Sequence, residues 1–287
     1  MLGVSLGAVS LLRLDRTGGL APGNKSFKLR AYVAQAGRCG VERLVSFGGA
    51  WSNHLHALAA LGQQHGIETV GIVRGGADEG ESAMMADAAA WGMRIHRVSR
   101  TEYRQRNDSA YQQALREYFA PCLLIPEGGA SVAGAQGCAD IGEIIRRVAP
   151  RADRIVLPVG TGTTLAGLAS SVPAHSEIVG ISALKGAADL EQRVASLLAA
   201  QDRGREVRWT IRHDFHCGGF ARVNAALREF ILAFEAVQGV QLEPVYTGKM
   251  LFAIHQLIQS GEWDATAPLL AIHTGGLQGR RGYPWLN

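Results

Sequence analysis

The chain has 287 residues, 47% of them hydrophobic and 19% charged, enough apolar material for a sizeable core and too much for global disorder. The net charge is +4, with Lys and Arg scattered and no basic-aromatic stripe; this suits an anionic small molecule and argues against a nucleic-acid partner. No run of about 20 apolar residues occurs, so no membrane partner is expected. The four cysteines (Cys39, Cys122, Cys138, Cys217) form no C-x-x-C pair and fit no zinc spacing, so they read as reduced thiols of a cytoplasmic protein without a metal.

Short apolar runs alternate with amphipathic segments, the pattern of an α/β protein. Residues 1–12 are apolar but lack a positive start and meet Arg13 at once, so they read as a first strand rather than a signal peptide. Strands are predicted at 44–47, 68–73 and 94–98, with helices at 52–61 and 81–91 between them. These short connections suit a parallel sheet. The polar stretch 100–116 breaks the pattern. A run at 123–126 precedes the glycine turn Glu127-Gly128-Gly129, and a helix follows over about 135–148. Pro150–Asp153 reads as a domain crossing. A second sheet is predicted from 154–159, 177–182 and 268–274, the last ended by Gly275-Gly276.

Ligands of open α/β sheets bind beyond the carboxyl ends of the strands, so the glycine turns carry the chemistry. Val159-Gly160-Thr161-Gly162-Thr163-Thr164 follows a strand and opens a small-residue helix. Such a loop aims backbone N–H groups at an anion, typically phosphate, although a plain strand-to-helix turn has the same outline. It is neither a Walker A loop nor G-x-G-x-x-G. Gly23-Asn24-Lys25-Ser26-Phe27-Lys28 offers two lysines on one helical face. A lysine can form an imine with an aldehyde cofactor; by spacing alone, two solvated lysines are the simpler reading. In Gly48-Gly49-Ala50-Trp51-Ser52-Asn53-His54, Ser52 or Asn53 can cap a helix, contact a ligand, or do both. Tyr246 is a candidate acid or base, although a buried structural tyrosine is the commoner reading, and His273 reads as a core residue.

Taken in order, GNKSFKL, VSFGGAWSNHLHALA, GTGTTLAG, EPVYTGK and HTGG resemble the 1-aminocyclopropane-1-carboxylate deaminase/D-cysteine desulfhydrase family over nearly the whole chain. The resemblance implies pyridoxal 5′-phosphate as cofactor. It also implies the fold type II, tryptophan-synthase-β-like architecture: two open, twisted, mostly parallel sheets with flanking helices. Residues 1–34 with 151–287 are expected to form a large cofactor-binding domain and residues 35–150 a small one; a homodimer is expected.

The resemblance places the cofactor on Lys25, with Lys28 not the imine former. Asn53 matches the contact to the cofactor's phenolic oxygen. Gly160, Thr161, Gly162, Thr163 and Thr164 match the phosphate loop, and Thr274 a neutral partner for the pyridine nitrogen. Ser52 and His54 fall at the substrate carboxylate. Trp51, Asn53, Tyr246 and Phe220 complete the expected substrate contacts, and Lys25, Ser52 and Tyr246 the catalytic set.

Two positions bear on the substrate, a small amino acid. Deaminase members carry Glu and Leu where this chain has Thr247 and Thr274, which leans towards β-elimination of the D-cysteine desulfhydrase kind and away from cyclopropane opening. The alternative within the class is a true deaminase; Phe220, which stands where relatives commonly have tyrosine, suggests a second alternative, a catalytically silent cofactor- or amino-acid-binding protein.

Overall fold

The computed structural model describes residues 6, 8–76, 80–201 and 207–286. In chain order the elements are β1 (Val9–Arg13), α1 (Asn24–Cys39), β2 (Arg43–Gly49), α2 (Asn53–His65), β3 (Glu68–Arg74), α3 (Ala83–Ala90), β4 (Met93–Val98), α4 (Arg100–Tyr103), α5 (Ser109–Tyr118), β5 (Cys122–Ile125) and α6 (Val132–Val148). There follow β6 (Arg154–Val159), α7 (Thr163–Ala169), β7 (Glu177–Ser182), α8 (Leu190–Ala199), β8 (Trp209–Arg212), α9 (Ala225–Gln238), α10 (Thr247–Gln259) and β9 (Leu269–His273). The first strand expected over residues 1–12 is β1; residues 1–5 and 7 lie outside the described residues.

The chain forms two compact units. One comprises Met1–Thr17 and Cys138–Leu277, the other Gly18–Gly137 and Gln278–Asn287. The crossings therefore fall at 17/18, 137/138 and 277/278, not at 34/35 and 150/151. The reason is packing. Leu29, Tyr32 and Ala36 of α1 join one buried cluster with Leu44, Leu55 and Leu58, so α1 belongs with β2 and α2. The last residues, from Gln278, return to that same unit.

The first unit holds a five-stranded sheet in the order β1-β9-β6-β7-β8, every pair parallel. β6, β7 and β9 are buried along almost their whole length, as strands covered on both faces must be. The register sets Arg13 opposite His273. The second unit holds a four-stranded parallel sheet in the order β4-β3-β2-β5. Two parallel sheets with flanking helices are the expected architecture.

The polar stretch 100–116, which breaks the apolar pattern, is largely helical. Ser99 caps α4 and Asp108 caps α5. Tyr111, Leu115 and Phe119 recur every four residues, and Leu115 and Phe119 pack with Tyr103 on Val45, Phe47, Val70 and Ile72. The intervening charges lie on the other face and mask the period. β8 is a short edge strand with one side intermediate in burial, and α8–α10 fill the long interval before β9.

Candidate active site

In the unit that contains β2, the sequence-predicted residues gather at the N-termini of α1 and α2. The two lysines of the Gly23–Lys28 run are not equivalent. Lys28 is buried, and its ammonium donates to the Gly128 carbonyl at 3.2 Å. Lys25 is only partly buried and donates to Asn24 Oδ1 at 3.2 Å. Lys28 thus braces the Glu127–Gly129 turn, whereas the amine of Lys25 stays beside the N-terminus of α1. Gly137 of α6 allows this packing: a Cβ there would lie 2.2 Å from the Phe27 carbonyl oxygen.

Ser52 caps α2, its hydroxyl oxygen accepting from Leu55 N at 3.2 Å. Asn53 opens that helix, and its Oδ1 accepts from Gln278 Nε2 at 2.5 Å. Trp51 is 42% exposed, and the backbone of Gly282 lies against its ring. His54 points inward and is 2% exposed. Ser46 Oγ donates to the Ile125 carbonyl at 2.9 Å, so it accepts from His54 Nε2–H, also at 2.9 Å. Nδ1 is therefore the unprotonated nitrogen, and it is buried without a hydrogen-bond partner. Burial, reinforced by the charges of Lys25 and Lys28, holds this imidazole well below its ordinary pKa. His54 is a neutral base beneath the turn, a poor match to a carboxylate, which needs donors.

The unit that contains β6 carries the remaining residues. The loop Gly160–Gly162 ends β6, and Gly162 adopts φ 80° to start α7. The N-cap of α7 is Gly162, which has no side chain to offer its first N–H groups, and the N-cap residues of α1, α8 and α10 likewise make no side-chain cap bond. Thr161 and Thr163 hydroxyls meet at 2.9 Å, and Cys138 Sγ–H reaches Thr164 Oγ1 at 3.7 Å. Gly160 is tight: a Cβ would stand 3.1 Å from the Tyr246 ring. His273 is fully buried, with Nε2 donating to the Gln241 carbonyl at 2.9 Å and Nδ1 accepting from Gly275 N at 3.2 Å. These bonds fix the turn that carries Thr274, itself 7% exposed.

Two residues of the EPVYTGK run do work that the spacing does not announce. Glu243 is buried and folds its carboxylate over the start of α10, accepting from Val245 N (2.8 Å), Tyr246 N (2.6 Å) and Thr247 N (2.7 Å). Burial pushes its carboxyl up to about 7, against those three donors and Lys249. Lys249 is fully buried and donates to the carbonyls of Gly219 (2.7 Å) and Ala183 (3.3 Å). It thereby braces a turn in which Cys217 and Ala221 take positive φ, of 51° and 56°. Phe220 rides on that turn, 53% exposed, its ring edge-on to Tyr246 at 6.2 Å. Gln278, bonded to Asn53, is a further residue that the motifs do not reveal, because a lone glutamine carries no pattern.

The donor set suits pyridoxal phosphate. One unit offers the partly buried amine of Lys25 and the amide of Asn53; the other, described by itself, offers the N-terminus of α7 and the Thr274 hydroxyl, groups of the kinds that an aldehyde, a phenolic oxygen, a phosphate and a ring nitrogen call for. The family profile described as "Pyridoxal-phosphate dependent enzyme" matches residues 14–275. The chain belongs to this family. Its cofactor is pyridoxal 5′-phosphate, and within the family it falls in the group of 1-aminocyclopropane-1-carboxylate deaminases and D-cysteine desulfhydrases.

A protein of Pyrococcus abyssi named "Putative 1-aminocyclopropane-1-carboxylate deaminase" is 27% identical over 282 residues, 94% of this chain and 85% of the relative. A D-cysteine desulfhydrase of Klebsiella pneumoniae is 25% identical over 291 residues, 94% and 88% of the two chains. Among solved structures, an ACC deaminase homologue superposes with a TM-score of 0.83 at 23% identity, over 96% of this chain and 87% of the other. This family member has no helix among the described residues that is long and apolar enough to cross a membrane. Among the described residues there is also no cluster of three His, Cys, Asp or Glu side chains that could hold a metal.

Proposed function

We propose that the enzyme catalyses β-elimination on a small amino acid of the D-cysteine kind, giving a 2-oxo acid, ammonia and the eliminated group. The observation that carries this reading is the chemistry at positions 247 and 274. Thr247 is buried, with its hydroxyl committed to Glu243: it accepts from Glu243 N at 3.0 Å and contacts the Glu243 carbonyl at 3.3 Å. The deaminase pattern has a carboxylate at that position. Thr274 offers a hydroxyl, a neutral partner for a ring nitrogen.

Bound pyridoxal phosphate supplies an aldehyde and a conjugated ring that withdraws electrons from the substrate α-carbon. In the proposed site Lys25 would hold the aldehyde, and its amine would take up the substrate's α-proton. Gly160, Thr161, Gly162, Thr163 and Thr164 hold the phosphate with backbone N–H groups and hydroxyls. Asn53 donates to the phenolic oxygen. Ser52, whose oxygen already caps α2, keeps its O–H as a donor to the substrate carboxylate. Tyr246 is the acid that meets the leaving group, and Phe220 and Trp51 are the further residues assigned to substrate contact.

The reading is tested with purified protein loaded with cofactor and given D-cysteine or 1-aminocyclopropane-1-carboxylate. Pyruvate and sulfide from the first support elimination; 2-oxobutanoate from the second instead overturns it in favour of the deaminase. Bound cofactor without α-proton exchange in D₂O would favour a silent binding protein. The visible absorption of the bound cofactor is expected to disappear in Lys25→Ala.

A further inference from the structure

The amide of Asn53 has two ends, one a donor and one an acceptor, and only the donor end suits an anionic oxygen. What decides which end faces a ligand is the third member of a short chain, Gln278. Its Nε2 lies 3.2 Å from the Trp51 carbonyl oxygen and 2.5 Å from Asn53 Oδ1. A backbone carbonyl can only accept. The end of Gln278 that faces Trp51 must therefore be the NH₂ group. The same nitrogen reaches Asn53, so Asn53 must turn its oxygen towards Gln278. Reversing Gln278 would set its oxygen against both the Trp51 carbonyl and Asn53 Oδ1, with no compensating bond, because Gln278 Oε1 has no partner on its other side. The Trp51 carbonyl thus sets the polarity of Gln278, and Gln278 sets that of Asn53.

The segment that carries Gln278 is itself pinned to this unit. Arg281 pairs with Asp87 through both terminal nitrogens, and Asp87 also bonds His56 Nε2 at 3.0 Å. Gly282 lies against the Trp51 ring, where a Cβ would come within 3.3 Å of Cε2. These two contacts, three and four residues beyond Gln278, hold its segment in place.

We infer that Gln278 is a positioning residue that locks the Asn53 amide with its NH₂ outward, making Asn53 an obligatory donor to an anionic ligand oxygen. The inference rests on the proposed role of Asn53 towards the phenolic oxygen of pyridoxal phosphate. Gln278 itself touches no reacting atom. Its effect passes through Asn53, so the two residues must be energetically coupled.

The test measures pyridoxal phosphate affinity by equilibrium dialysis and the absorption maximum of the bound cofactor in wild type, Asn53→Ala, Gln278→Glu, Gln278→Met and the double variant Asn53→Ala/Gln278→Glu. Glu at 278 accepts only, so it draws the Asn53 NH₂ inward and presents an oxygen to the ligand. Affinity is expected to fall about tenfold or more, with a displaced absorption maximum. Gln278→Met leaves the amide free to turn and gives a smaller loss. The double variant binds as Asn53→Ala does, because no amide is left to orient. Thermal unfolding of the apo forms separates these effects from lost folding, and Gln278→Met carries the test if Gln278→Glu fails to fold. Wild-type affinity and absorption in both Gln278 variants, or losses that add in the double variant, overturn the inference alone. A wild type that takes up no cofactor overturns the proposed function and this inference with it.

Discussion

Gly160 and Tyr246 are in near contact: a Cβ at position 160 would stand 3.1 Å from Tyr246 Cε1 and 3.3 Å from its hydroxyl. The phosphate-type loop and the candidate acid therefore share one constraint. Gly160→Ala forces the ring or the loop to move, an overpacking strain of about 1–3 kcal/mol. Cofactor affinity is expected to drop about tenfold, together with a slower elimination rate. Dialysis and steady-state rates check this; unchanged values for both would mean that the ring swings away without cost.

Glu243 gives a pH signature. Its carboxyl stands at about 7 in the folded chain against an ordinary 4.5, because burial outweighs the three backbone donors and Lys249. The folded state then holds the proton more tightly than the unfolded state does. The stabilisation is full below pH 4.5 and is lost as the pH rises through 7. Glu243→Gln removes this titration. The difference in unfolding free energy between wild type and variant is expected to shrink or reverse from pH 4.5 to pH 8, by on the order of 3 kcal/mol. Urea unfolding at a series of pH values measures it, and a flat difference would show that folding does not raise the Glu243 pKa.

His54 runs the other way. Its folded pKa lies well below 6.5, chiefly through burial and then through Lys25 and Lys28. The unfolded chain binds the proton more readily, so the contribution is present above pH 6.5 and is lost as the pH falls below it. His56 and His273 share this direction, also through burial. The comparison must therefore be between wild type and His54→Gln, in which the other two histidines cancel. The wild type is expected to lose more stability than the variant between pH 8 and pH 5. Equal losses in urea midpoints would show that folding leaves the pKa of His54 unshifted.

Much of this was legible from the residues. The strands read as unbroken apolar runs because parallel strands are covered on both faces, and glycine turns mark their carboxyl ends. What stayed hidden depends on long-range packing. α5 is masked by the charges between Tyr111, Leu115 and Phe119, and the placement of α1 depends on partners far along the chain. Lys25 and Lys28 look alike by spacing; beyond the motif, burial and the Gly128 carbonyl separate them. Glu243 and Gln278 act through backbone groups, which no side-chain motif records. His54 sits in a quoted motif, yet its inward ring follows from Ser46, eight residues earlier.

The same substitution at two glycines should have opposite signs. Gly137 lies in α6 where a Cβ would come within 2.2 Å of the Phe27 carbonyl oxygen and 3.1 Å of its carbon, both backbone atoms of α1. Neither can yield without moving the helix that carries Lys25 two residues earlier. Gly137→Ala is expected to cost about 1–3 kcal/mol or more and to disturb the Lys25 amine, weakening cofactor binding as well as stability. Gly37 lies in α1 itself, exposed, with nothing within 4 Å of its would-be Cβ. There Gly→Ala restricts the unfolded chain and suits the helix, a gain of up to about 1 kcal/mol with cofactor affinity unchanged. Thermal unfolding of both variants, with dialysis against pyridoxal phosphate, decides the matter. Equal midpoints for the two would mean that α1 and α6 are packed less closely than the Phe27–Gly137 approach requires.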